Sequence, residues 1–227
     1  FYLWDLEADD GSKVFKSIDI DDIDKKREEL IKSSGSYVAK NLPVKFKNND
    51  CMYKIWTSKD MLDPNGFFKT IVSEPEMSDL IKTHNISVFF TMFWSTSAWS
   101  VVNEEVIGLR KGHRLIKGGL QLATDWMATG RQITIPLTRN VQYGEQAHVI
   151  VHFRDGQPDL GRKTFSSELE ELAKLVSAQC VYNFYKRGYK ENMRPTSGSK
   201  ILNASQNLFQ DQKKAQDNLS KNPLKLP

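Results

Sequence analysis

The sequence predicts an α+β fold: a mixed, mainly antiparallel sheet with helices packed on one face and a C-terminal helical extension. Three observations carry that expectation. Segments with strand-like alternation cluster in the middle of the chain, at Leu120–Thr124, Arg131–Leu137 (RQITIPL) and Ala147–Phe153 (AHVIVHF), joined by glycine-containing turns. A long amphipathic helix follows them, with Leu169, Leu172, Ala173, Val176 and Cys180 at helical spacing. Beyond it, Asn203–Ser220 reads as a polar helix whose apolar stripe of Ala204, Leu208, Ala215 and Leu219 is too thin to stand alone in water.

Taken in order, Phe1–Leu6 alternates weakly as a strand. Asp21 or Asp22 is suited to cap a short helix running through Ile31, with Gly35 ending it. Cys51–Thr57 (CMYKIWT) reads as a strand with Met52, Lys54 and Trp56 on one face and Tyr53 and Ile55 on the other. Asp63-Pro64-Asn65-Gly66 is a turn, and Phe67–Val72 is a short apolar element of undecided type. Pro75 opens a helix over Glu76–Thr83, and Ile86–Trp94 (ISVFFTMFW) follows as a strand. In the last strand Val149, Val151 and Phe153 share a face opposite His148, Ile150 and His152. A loop over Arg154–Phe165 leads into the long helix, which Ser166 or Ser167 caps, Glu170 or Glu171 supplies with an acidic first turn, and Gly188 ends after about Arg187. The expected organisation is one domain over 1–190, a linker over 191–202 (with Met193–Ser199, MRPTSGS, at its centre) and a helical tail over 203–227.

The 227 residues are 39% hydrophobic and 26% charged, which excludes collagen-like, purely coiled-coil and wholly disordered chains. A formal charge of +4 is too mild to argue for nucleic acid by itself. The charge is uneven: residues 186–227 carry nine basic and three acidic side chains, whereas the first thirty carry ten acidic and five basic. The nine-residue run Ile86–Trp94 is about half the length of a membrane-spanning helix, so no membrane span is expected. Cys51 and Cys180 sit in no metal-type or CxxC spacing, and the expectation is a reduced intracellular chain, cytoplasmic or nuclear, although two cysteines can still pair. The chain opens at Phe1 without a signal-peptide pattern, so an internal fragment of a longer protein is expected.

Two segments carry chemistry suited to phosphate. In Gly108–Gly119 (GLRKGHRLIKGG), Arg110, Lys111, Arg114 and Lys117 fall within eight residues, and no acidic residue lies between Glu105 and Asp125. Cations beside glycine-freed backbone N–H groups suit the phosphates of a nucleotide or a nucleic acid, a solvated loop between strands being the alternative. In Asp159–Phe165 (DLGRKTF), Arg162 and Lys163 precede the positive end of the long helix, where an anion between them and the helix N–H groups would be held from both sides. The alternative there is pairing with Asp159, Glu168 or Glu170. His148 and His152 are about 13 Å apart along one strand face, too far to clamp one metal, and are expected to be structural; no metal site is expected. Of the five tryptophans, only Trp99 and Trp126, which flank the basic run, are candidates to touch a ligand.

The strand AHVIVHF, the lysine-bearing loop DLGRKTF and the long helix together resemble the transducer domain of GHKL ATPases, the group of gyrase, Hsp90-type chaperones, histidine kinases and mismatch-repair proteins. GLQLATDWMATGRQITIPL is likewise similar to a stretch of large proteins with Hsp90-like ATPase domains. The resemblance spans roughly residues 115–187. It implies that Lys163, with Arg162 beside it, reaches the γ-phosphate of ATP bound with Mg2+ mainly by an upstream ATP-binding domain of the same protein. It further implies a module that relays nucleotide state to movement or homodimer closure. The loop reads Gly-Arg-Lys where topoisomerase members have Gln-Thr-Lys, and the family's catalytic Glu, metal-binding Asn, adenine-reading Asp and glycine lid have no counterpart here. Hydrolysis would therefore require sequence before Phe1. The competing expectations are a non-enzymatic nucleic-acid-binding module using Arg110, Lys111, Arg114 and Lys117, and a protein-interaction scaffold docking through its tail.

Overall fold

A computed structural model describes residues 17–34, 49–159, 161 and 164–193. The expected first strand, the tail helix, and Arg162 and Lys163 lie outside the described residues. Six strands form one mixed sheet, confirming the α+β class. They are β1 (Ser17–Asp19), β2 (Cys51–Trp56), β3 (Ile86–Phe93), β4 (Gly119–Thr124), β5 (Met127–Ile133) and β6 (Ala147–Phe153), in the order β1-β2-β3-β6-β4-β5. Three neighbouring pairs are antiparallel (β2–β3, β3–β6, β4–β5) and two are parallel (β1–β2, β4–β6). The last strand thus enters the middle of the sheet.

Strand pairing sorts the side chains onto two faces. Met52 lies beside Met92, Phe90 beside Val149, and Val151 beside Leu122, so these point into one core. Against that face pack α1 (Ile20–Ser34), α2 (Ser58–Met61), α3 (Lys69–Val72), α4 (Pro75–Thr83) and the long helix α7 (Ser167–Lys186), through Ile23, Met61, Ile71, Ile81 and Val176 among others. The apolar face expected of α7 is the one buried, and Ser166 is its cap, its Oγ accepting from the Leu169 N–H. Trp56, Phe67, Phe68, Phe90 and Phe184 meet ring to ring at the centre of this layer. Asn183 pins α7 there by donating from Nδ2 to the Phe67 carbonyl at 2.6 Å.

The opposite face is covered only at one end. There Cys51 and Phe93 meet Trp99, Val101 and Val102 of α5 (Ala98–Val101) and the π-helical turn Val102–Val106 that extends it. All seven residues of the central strand β6 are buried, the histidines included: on the sparsely covered face Trp99 lies against His148 and Trp126 against His152.

Several boundaries differ from the sequence reading. Asp19, not Asp21 or Asp22, caps α1, its carboxylate accepting the Asp21 N–H at 2.8 Å. The β4–β5 hairpin turns at Asp125-Trp126 rather than at a glycine, with φ values of 48° and 62°. The fifth strand therefore starts at Met127 and ends at Ile133, although Ile135 and Leu137 still pack on the main core beyond it. Phe67–Val72 resolves into two buried phenylalanines and the single turn α3. The short helix α6 (Gln142–Gln146) and the 3-10 turn Tyr189–Asn192 have no sequence signal. Asn192 and Met193 are buried, and the Asn49 N–H donates to the Asn192 carbonyl, so the chain leaves α7 tied to the sheet through Met193.

Candidate functional site

The junction between β6 and α7 is closed at its base. The Asp159 N–H donates to the Thr164 carbonyl at 2.9 Å, and the Thr164 N–H donates back to the Asp159 carboxylate at 3.1 Å. In the sequence, that pair flanks the stretch 160–163 that carries Arg162 and Lys163. Two local acids are already engaged: Asp159 accepts the Thr164 N–H, and Glu170 pairs with Lys174 at 3.7 Å. Thr164, Glu170 and Lys174 also line a groove of about 970 Å3 between α7 and β5, whose far wall includes Arg131 and Ile133.

The basic run lies elsewhere, on the sparsely covered face of the sheet. Arg110, Lys111, Arg114 and Lys117 are all exposed, and among the described residues none of them is in an ion pair. Their loop is built around Asn103, a fully buried side chain in the π-helical turn. Its Nδ2 donates to the carbonyls of Trp99 and Ile116 at 2.6 Å, and its Oδ1 accepts from the N–H groups of Leu115 and Ile116 at 2.7 and 2.9 Å. Gly108 and Gly112, at φ 75° and 84°, make the turns that let the chain leave and return. The Gly112 N–H donates to Glu104, and Arg114 donates to the Ser100 hydroxyl. The sequence singled out the cations but not Asn103. A buried asparagine becomes legible only when the backbone groups it satisfies come together.

The two tryptophans flanking the loop separate cleanly. Trp99 is buried, its indole N–H donating to the Glu145 carbonyl at 2.7 Å, so it is a structural residue. Trp126 is 63% exposed at the hairpin tip, stacked on His152 at 4.7 Å and edge-on to Phe89 at 6.5 Å.

Both sheet histidines are engaged within the fold, as expected. His148 Nδ1 donates to the Lys117 carbonyl at 2.8 Å, fixing the foot of the basic loop to β6. His152 Nε2 accepts the Trp126 backbone N–H at 3.2 Å, which requires the proton on Nδ1. Burial lowers the pKa of both; for His152 the nearby Arg154 adds to the lowering and Asp125 opposes it. Each histidine therefore binds protons more readily in the unfolded chain. Stability from these groups is fully present above the unfolded-state pKa of about 6.5 and is lost as pH falls from there toward the folded values. The melting temperature is expected to drop between pH 7 and pH 5, with a smaller drop in His148→Gln and His152→Gln. A melt as steeply pH-dependent in both variants as in the parent would refute this.

Cys51 and Cys180 are free, buried thiols whose pKa values burial pushes up, so neither is poised as a nucleophile. No helix among the described residues is long and apolar enough to cross a membrane. No protein-family model, curated protein or solved structure matches this chain.

Proposed function

We propose that this chain is the coupling module of a larger GHKL-type ATPase, relaying the state of ATP bound by an upstream domain to movement or homodimer closure. One observation supports the reading: Asp159 and Thr164, joined by two hydrogen bonds, flank in sequence the lysine-bearing stretch between a central strand and a long helix, and Thr164 lines an open groove. Arg131, Lys174 and the Thr164 hydroxyl around that groove suit phosphate oxygens. Lys163, with Arg162 beside it, would meet the γ-phosphate and neutralise charge developing there; bound ATP and Mg2+ would supply the transferable phosphoryl group. Such a protein would work in the cytoplasm or nucleus. ATP turnover by the longest natural chain containing this segment tests the reading. Lys163→Ala is expected to lower turnover about a hundredfold with an unchanged melt. Turnover that survives in the variant sinks the assignment.

The basic loop favours a second reading, a module that binds nucleic acid through Arg110, Lys111, Arg114 and Lys117. It stands on four exposed cations carried by a loop that buried hydrogen bonds hold in place. Binding would weaken with salt, and each phosphate-contacting cation removed would lower the log–log slope by about one.

A further inference from the structure

The register of the sheet places the basic loop and the Trp126 tip on the same face. Thr91 pairs with His148, Phe89 with Ile150 and Ser87 with His152, so Phe89, His148 and His152 all point away from the main core. Lys117 at the foot of the loop rests on His148, and Trp126 rests on His152. Four residues of extended strand separate those two histidines, about 13 Å.

Trp126 is prepared as a platform rather than left over. One ring face is stacked on His152 at an interplanar angle of 23°, and the ring edge is buttressed by Phe89, so the exposure falls on the remaining surface. Ile55, half-exposed and paired with Phe89 on the next strand, extends the apolar strip. The turn carries two left-handed non-glycine residues where Asn-Gly or Gly-Gly would be relaxed.

We infer that this face binds single-stranded nucleic acid, phosphates lying along Arg110, Lys111, Arg114 and Lys117 and a base stacking on Trp126. The inference rests on the nucleic-acid reading of the basic loop and adds to it the contact that selects single strands. The Asp125 carboxylate at the tip disfavours phosphate there, which sets the polarity of the site: backbone at the loop, base at the hairpin. Stacking between neighbouring base pairs in a duplex hides the ring faces that Trp126 would cover, and because every base has such a face, recognition is tolerant of sequence.

Fluorescence anisotropy with a labelled oligothymidine of about twelve nucleotides, and with the matching duplex, tests this on the full 227-residue chain. Trp126→Ala is expected to weaken single-strand binding about 5- to 100-fold, leaving the salt slope and duplex binding unchanged, while Trp126→Phe restores most of the loss. Arg110→Ala with Lys111→Ala should instead flatten the salt slope for both probes. Equal affinity of parent and Trp126→Ala, with a normal slope, would overturn the stacking site and leave the basic loop standing. Absence of salt-dependent binding by the parent would overturn both. A Trp126→Ala chain that changes oligomeric state but not oligonucleotide affinity would make the face a protein interface and overturn the inference.

Discussion

Replacing Gly118 by alanine is expected to destabilise the protein by about 3–5 kcal/mol, far more than one added methyl group ordinarily costs. A Cβ at that position would fall inside the contact distance of the Glu145 carbonyl and Cα, which are backbone atoms and cannot swing aside. The displaced carbonyl is the acceptor of the Trp99 indole N–H, so the clash passes directly to a buried tryptophan. It also reaches the start of β4, where Gly119 pairs with His148 on the parallel ladder to β6. Gly112→Ala is the internal comparison: its φ is 84° but nothing lies within 4 Å of the added atom, so only the left-handed penalty of about 1 kcal/mol applies. Urea unfolding of the two variants should separate them by at least about 2 kcal/mol at equal slope. Equal losses would show that Gly118 is not a point of close approach.

Asn103→Ala should cost a similar amount, about 3–5 kcal/mol, by a different route. The substitution removes four hydrogen bonds at once: the Trp99 carbonyl keeps the Val102 N–H, but the buried Ile116 loses the partners of both its N–H and its carbonyl, and the Leu115 N–H loses its acceptor. Where the loop from Gly108 to Lys117 can detach by itself, the loss is capped at the free energy of that local opening. Amide exchange at Leu115 and Ile116 distinguishes the two routes, since local detachment accelerates those amides before the β3 and β6 amides change. A variant that loses less than about 1 kcal/mol and keeps its Leu115 and Ile116 amides protected would remove Asn103 from this role.

Much of the fold is legible in the chain because burial on one side of an element repeats locally. The stripe from Leu169 to Cys180, the alternation through Ala147–Phe153 and the Pro75 helix start all concern residues within a few turns or one strand. The candidate site is legible only in its charges. Arg110, Lys111, Arg114 and Lys117 stand out as a run, but that the run forms a pinned loop depends on Asn103 meeting backbone groups 12 and 13 residues away. Trp99 and Trp126 look alike in sequence; one is buried against Glu145 and the other is held open on His152 by a contact 26 residues distant. The place of the β4–β5 turn, at Asp125-Trp126, is not legible because its turn type ordinarily advertises itself with glycine, and here stacking and a backbone bond to His152 hold the less favourable conformation.

By itself the sequence determined the α+β class, the positions of most helices and strands, and which cations lie close together. Those are properties of neighbouring residues, set by side-chain periodicity, caps and turn preferences. The tertiary structure decided that β6 enters between β3 and β4, that Gly118 must make room for Glu145, and that the basic loop and the Trp126 tip share one face. Those are relations between segments far apart in the chain. They follow from which strand edges pair and which backbones can approach, and one-dimensional patterning leaves several such arrangements equally well buried.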